Sequence, residues 1–183
     1  MNFTRSRRSR PSIVPSSEPS PEDAWRALFL MVEWIRHADG KATAALASAG
    51  VTGSLLYTLV NTADRRGTAL AISAAACALA IIAAATAAGM ALLPRLAGRP
   101  EPTGLIYYRA ISERFGTDAD AYAAAYSALA TDQPALFAAL TRQVWATASV
   151  ATRKYRAINV SIAALLPALL LLAVTAVLSL LGR

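Results

Sequence analysis

Three long stretches without a charged residue constrain the fold of this chain more than any other feature. They cover residues 42–60, 69–93 and 158–181, and each approaches or exceeds the roughly 20 residues that a helix needs to cross a bilayer. Inside the hydrocarbon a segment must satisfy its own backbone hydrogen bonds, which favours helices. The sequence therefore predicts an all-α membrane protein with three transmembrane helices. Only 16% of the residues are charged, whereas soluble domains carry about 25%.

The segments between these stretches predict how the three helices are connected. The short polar segment 61–68 joins the first two, which predicts a two-span hairpin followed by a separate C-terminal span. Three prolines and two glycines in "PRLAGRPEPTG" then mark a helix boundary after the second span. We expect residues 94–157 to form a small cytoplasmic helical domain that acts as the sensor region.

Two segments of different character precede the first span. Residues 1–20 are rich in Arg, Ser and Pro and predict a disordered basic tail. Residues 21–41 predict a cytoplasmic amphipathic helix, capped by Ser20 and with Pro21 in its first turn. Its apolar stripe either lies on the membrane interface or packs against another helix, and the mixed charge of the polar side favours packing. The stripe consists of Trp25, Leu28, Met31, Val32 and Ile35.

Two capping signals predict where helices begin in the central polar region. Thr117 has Asp120 three positions later, a version of the capping box, and Asp132 can cap a further helix that tolerates Pro134 in its first turn. No Pro or Gly interrupts residues 143–161, so this last helix is expected to continue without a break into the third span. A change in the cytoplasmic domain can then tilt, shift or twist that span.

Small residues recur every four positions in the first span, at Ala45, Ala49 and Gly53. Such a stripe lets another helix approach closely, while a general alanine bias in the coding sequence explains the pattern equally well. Three spans without a polar lining cannot enclose an aqueous path in one subunit. We therefore expect a homo-oligomer in the active state, associated through small-residue stripes.

Basic residues predict the orientation in the membrane, because cytoplasmic loops carry an excess of Lys and Arg. Residues 95–156 contain eight of them, whereas the hairpin has only Arg65 and Arg66. The N-terminus and the central region are therefore expected in the cytoplasm, with the C-terminus outside.

Signatures of catalysis are missing from the sequence. It contains no nucleophile elbow, Gly-rich phosphate loop, HExxH motif or Cys cluster, so we expect no enzyme, no catalytic residue and no cofactor. The spans lack the ionisable residues that mark proton pathways. The single His and the lone Cys77 exclude an ordinary zinc site. The formal charge of +7 is concentrated in the tail and beside the spans, which suits anionic lipid headgroups rather than nucleic acid.

The stretch "EWIRHADGK" at 33–41 crowds charged side chains against the first span. Either these charges only set the depth of the span in the membrane, or a basic side chain turns inward to bind an anion. The aromatic and basic clusters "IYYRAISER" and "TRKYR" suit a nucleotide base and phosphate at the same site. The candidate ligand-binding residues are Arg36, Asp39, Lys41, Tyr107, Tyr108, Arg109, Lys154 and Tyr155.

The layout resembles that of the Pycsar effector family of bacterial membrane proteins. "EWIRHADGKATAALA" is similar to the family signature W-I-x-x-A-D-x-K-A, and "GLIYYRAIS", "TDADAYAAAYSAL" and "RQVWATASVATRKYRAIN" are looser matches. The resemblance covers approximately residues 25–175. It implies an effector of antiphage defence in the bacterial inner membrane. A partner cyclase would make cUMP or cCMP on infection, and the effector would bind this cyclic pyrimidine nucleotide and damage the membrane, which causes abortive infection.

Two alternatives have no nucleotide ligand. One is a constitutive membrane anchor or scaffold that holds a partner, and the other is a holin-like small toxin. A cyclase gene beside this one would favour the effector over both.

Overall fold

The structure is a computed structural model that describes residues 20–63, 67–93 and 104–181. Within these ranges the chain forms helices and no strand, so the predicted all-α class is confirmed. Three of the helices are long and apolar enough to cross a membrane. Except for Ser20, the predicted tail lies outside the described residues. The helices are α1 (Pro21–Thr62), α2 (Thr68–Leu92), α3 (Tyr108–Phe115), α4 (Ala119–Thr131) and α5 (Gln133–Leu181).

Helix α1 continues from the predicted cytoplasmic helix directly into the first span. Its first turn is capped as the sequence predicts, because the Ser20 hydroxyl accepts a hydrogen bond from the Glu22 backbone N–H at 3.2 Å. Within the apolar stripe, Leu28 packs against Leu136 and Leu140 of α5 in a buried cluster that Trp25 also contacts, whereas Val32 is exposed. The packing interpretation of this amphipathic helix is therefore confirmed.

Helices α1 and α5 run parallel to each other, with α2 antiparallel to both. Leu28 packs against Leu140 near the start of each helix, and further along Ala42 packs against Ile158. Ala91, close to the end of α2, belongs to that second cluster. The three helices therefore meet at the level where the predicted first and third spans begin.

The membrane segment of α1 packs through a seam of small side chains. Its buried residues alternate at spacings of four and three, the average 3.5-residue repeat of left-handed coiled coils. They are Ala38, Ala42, Ala45, Ala49, Thr52 and Leu56. Beside them, a Cβ atom placed on Gly53 would lie 3.9 Å from Cγ2 of Ile81 in α2. The small-residue stripe is thus used for packing within the chain, and its role in self-association stays a prediction.

Three hydrogen bonds between side chains and the facing helix join α2 to α5. The Ser161 hydroxyl donates to the Ala84 carbonyl at 2.8 Å, and the Cys77 thiol donates to the Ala168 carbonyl at 3.3 Å. The Thr175 hydroxyl donates to that of Ser73 at 3.1 Å. Such bonds within membranes contribute on average about 0.6 kcal/mol each, so their main effect is to fix the register of the two helices.

Of the two helix caps predicted in the central region, the structure confirms one and contradicts the other. Asp132 caps α5, since its carboxylate accepts a hydrogen bond from the Ala135 N–H at 3.0 Å. The predicted cap at Thr117 is wrong, because Asp118 accepts from the Ala121 N–H at 3.0 Å and begins α4. Gly116 ends α3 with a φ of 53°, which places Thr117 in the turn and leaves the cap to Asp118, the better acceptor.

Helix α5 is a single helix of 49 residues. It begins in the central polar region, where α4 also packs against it, and extends without interruption through the third predicted span. The predicted continuity between the polar region and the membrane is confirmed.

Candidate ligand-binding site

An ion pair joins α1 to α5 just above the predicted membrane surface. Lys154 Nζ donates to Asp39 Oδ1 across the helix interface. The Lys154 side chain is 16% exposed and that of Asp39 is 40% exposed, so water screens the pair only in part. The ion pair therefore couples the two helices at a fixed level, within a turn of the cluster formed by Ala42 and Ile158.

Aromatic contacts surround the next residue of α5, Tyr155. Its ring meets that of Trp34 edge to face, with centroids 6.0 Å apart. Its hydroxyl donates a hydrogen bond to the Trp34 backbone carbonyl at 3.4 Å. Lys41 Nζ lies 5.8 Å from the centre of the Tyr155 ring, within range of a cation–π interaction. Lys41 and Tyr155, both candidates from the sequence, are thus brought together.

The ion pair and the aromatic contacts lie on opposite flanks of the α1–α5 interface. Trp34 and Asp39 are five positions apart on α1, which separates them by about 140° around the helix axis. Lys154 and Tyr155 are adjacent on α5 and about 100° apart. Asp39 and Lys154 therefore form an interhelical clamp on one flank, and Lys41 and Tyr155 lie together on the other flank.

That second flank contains a groove of about 380 Å³ between α1 and α5. Small-molecule sites typically measure about 300–1,000 Å³, so the volume of the groove falls at the lower end of that range. It is lined by Met31, Trp34, Ala148, Ala151, Thr152, Tyr155, Arg156 and Asn159.

The sequence alone did not select most of these lining residues. Trp34 and Arg156 lie within "EWIRHADGK" and "TRKYR", but neither was among the candidate ligand-binding residues. A usable signal existed, because the first and third spans begin at Ala42 and Ile158. Aligning α1 and α5 on those two residues places "EWIRHADGK" beside "TRKYRAIN".

Arg36 does not reach the groove. Its guanidinium lies 3.8 Å from the Glu33 carboxylate on the same helix, and its side chain is 76% exposed. His37 Nδ1 lies 3.4 Å from the same carboxylate. Both contacts lie on the surface of one helix, and an exposed ion pair such as Arg36–Glu33 contributes only about 0.3–0.5 kcal/mol.

Tyr107, Tyr108 and Arg109 form a separate cluster at the start of α3. The two tyrosine rings lie 4.8 Å apart, and Arg109 Nε donates to Glu113 at 2.6 Å. Between described residues, no hydrogen bond, ion pair or ring contact connects this cluster to Asp39, Lys41, Lys154 or Tyr155. The α3 cluster and the candidate residues of α1 and α5 therefore do not form one site in this structure.

The environment shifts two pKa values in this α3 cluster. Burial raises the pKa of the Tyr107 phenol, and a hydrogen bond with Tyr108 adds to the shift. The hydrogen bond to Glu113 raises the pKa of the Arg109 guanidinium. Both shifts keep the cluster in its ordinary protonation state at neutral pH. In the part of the chain that the structure describes, no group of His, Cys, Asp and Glu could hold a metal ion.

Together, the helices and the charged boundary define a multi-span membrane protein with a polar helical region outside the spans. Comparison with known proteins identifies the class further, because the sequence model of the Pycsar effector protein domain family matches residues 23–181. The chain is also 34% identical over 145 residues to the Pycsar effector protein PtPycTM of Propioniciclava tarda, an alignment that covers 78% of this chain and 72% of the relative. No solved structure matches. The chain belongs to the Pycsar effector family and is an effector of antiphage defence.

Proposed function

We propose that the protein binds a cyclic pyrimidine nucleotide, cUMP or cCMP, on its cytoplasmic side and then impairs the integrity of the inner membrane. A partner cyclase supplies the nucleotide during infection, and the loss of the membrane barrier causes abortive infection. Membership of the Pycsar effector family supports this role. The protein acts through binding and membrane damage rather than by catalysis.

One structural observation carries the proposal. Helices α1 and α5 each extend unbroken from the cytoplasmic region into a membrane span, and the Asp39–Lys154 pair couples them at the boundary. A packed helix transmits a displacement along its axis because its backbone hydrogen bonds leave few soft torsions. A ligand that moves the cytoplasmic part of either helix therefore moves its span.

The orientation that this mechanism requires agrees with the distribution of basic residues. Arg153, Lys154 and Arg156 precede the third span, as Arg36 and Lys41 precede the first. The positive-inside rule places these flanks in the cytoplasm. There they face the nucleotide pool, and the hairpin between α1 and α2 faces the opposite side.

Within its described spans, a single subunit in this conformation has no polar path through the membrane. The buried hydroxyls of Ser73, Ser161 and Thr175 are all hydrogen-bonded inside the three-helix packing. The outward faces of the spans carry exposed aliphatic side chains such as Leu79, Leu166 and Leu170, which suit lipid. One subunit thus offers no polar path for ions, and we propose that the active state is a homo-oligomer.

Calorimetry on the full-length protein in detergent tests the nucleotide part of the proposal. Titration with cUMP, cCMP, cAMP and cGMP is expected to show saturable binding of cUMP or cCMP and at least tenfold weaker binding of both purine nucleotides. Absence of binding by all four contradicts the proposal and favours the anchor or holin-like alternatives.

A further inference from the structure

We infer that the nucleotide binds in the groove between α1 and α5, with its base against Trp34 and Tyr155 and its phosphate on Arg156. This inference rests on the proposed function and adds the location of the site. It involves Trp34 and Arg156, whereas the Asp39–Lys154 pair acts as a clamp on the opposite flank.

The upper half of the groove lies where a soluble ligand reaches it. Met31 and Ala42 are 11 positions apart, so the upper end of the groove lies about 16 Å above the start of the first span along the α1 axis. On α5, Ala148 lies about 15 Å above Ile158 by the same measure. The polar layer of one leaflet is only about 5–8 Å thick. By the same measure Arg156 lies only about 3 Å above Ile158, at the level of the headgroups. The upper half of the groove, near Met31, Trp34 and Ala148, therefore extends beyond the headgroups, while its phosphate end lies among them.

The walls of the groove suit a flat base. Trp34 is 51% exposed, and Tyr155 is oriented by its edge-to-face contact with Trp34 and by its bond to the Trp34 carbonyl. Every nucleotide base has a flat π-face, so any base can stack on such aromatic rings. The floor beneath them is formed by the small side chains of Ala148 and Ala151, which leaves room for a ring.

Basic groups at the membrane end complement the cyclic phosphate. Arg156 lines the groove and forms no hydrogen bond or ion pair with any residue that the structure describes. Its guanidinium can offer two parallel donors to a phosphate. Lys41 lies over the Tyr155 ring at the same end, and the exposed Asn159 amide adds further donors.

The test compares groove variants with controls matched in chemistry and outside the groove. Arg156→Ala is paired with Arg153→Ala, and Trp34→Ala with Trp145→Ala, since Arg153 and Trp145 are exposed and do not line the groove. Calorimetry with cUMP and cCMP measures affinity for the full-length proteins in detergent. We expect Arg156→Ala to weaken binding about 10- to 100-fold and Trp34→Ala about 5- to 100-fold. Both controls stay within about twofold of the wild type.

The outcomes separate this inference from the proposed function. If the wild type binds neither nucleotide, both fail. If it binds one of them and both groove variants bind equally well, the site lies elsewhere and only this inference is overturned. An equal loss in Arg153→Ala would also overturn it, because the effect would then reflect total charge. Trp34→Phe retains an aromatic face and is expected to keep most of the affinity, which would attribute the loss in Trp34→Ala to the missing ring.

Discussion

At the scale of single residues, the Asp39–Lys154 pair is the only ion pair between described residues that joins two helices. Asp39→Asn leaves a mostly buried ammonium group without its carboxylate, and Lys154→Met leaves the carboxylate without its cation. Because Asp39 is partly exposed, we expect each variant to lose about 1 kcal/mol of stability, seen as a fall in melting temperature of about 2–4 °C. Thermal unfolding in detergent measures both.

The double variant provides the control for this ion pair. Since the first substitution already removes the interaction, Asp39→Asn with Lys154→Met should lose clearly less than the sum of the two single losses. Additive losses would show that the two side chains do not interact in solution.

A second prediction at this scale distinguishes two basic residues of the "EWIRHADGK" stretch. Lys41 lies over the Tyr155 ring beside the groove, whereas Arg36 pairs with Glu33 on the surface. Lys41→Gln is therefore expected to weaken nucleotide binding about tenfold, as loss of a charge-assisted contact does. Arg36→Gln, which removes the same charge nearby, should change the affinity less than twofold. Calorimetry that showed the larger loss for Arg36→Gln would favour Arg36 as the phosphate ligand.

At the scale of the helices, the seam of α1 leads to a prediction about Ala49, which is 1% exposed. A larger side chain must push α1 away from its neighbours, so Ala49→Leu should cost about 1–3 kcal/mol. Val51→Leu adds a methylene to a side chain that is 62% exposed and should change stability by less than about 0.5 kcal/mol. Thermal unfolding compares the two variants, and an Ala49→Leu protein as stable as the wild type would contradict the intramolecular seam.

The sequence was sufficient to predict the three long helices because their signals are local, whereas it predicted neither α3 nor the cap of α4. The uncharged runs, the Ser20 and Asp132 caps and the absence of breakers in 143–161 each determine one element by itself. The groove depends instead on how α1 and α5 are rotated about their axes. That rotation comes from packing of Leu28 on Leu140 and of Ala42 on Ile158, and no single-helix pattern contains it. For the same reason, the sequence grouped Arg36 with Lys41 although they face different surroundings.

At the scale of the whole molecule, gating by a cytoplasmic nucleotide requires a defined topology. Reporter fusions at the N-terminus and after residue 130 should give cytoplasmic signals, and a fusion at the C-terminus should report the opposite side. This expectation follows from the positive-inside rule, because basic residues precede the first and third predicted spans. A cytoplasmic C-terminus would contradict three spans.

The most direct test of the central claim uses purified full-length protein in liposomes loaded with a self-quenched dye. Each of the four nucleotides is added outside, where it reaches the molecules whose cytoplasmic side faces outward. The account predicts dye release on addition of cUMP or cCMP and little release without nucleotide or with cAMP or cGMP. Equal release in the absence of nucleotide, or no release with any of the four, would contradict a nucleotide-gated membrane effector.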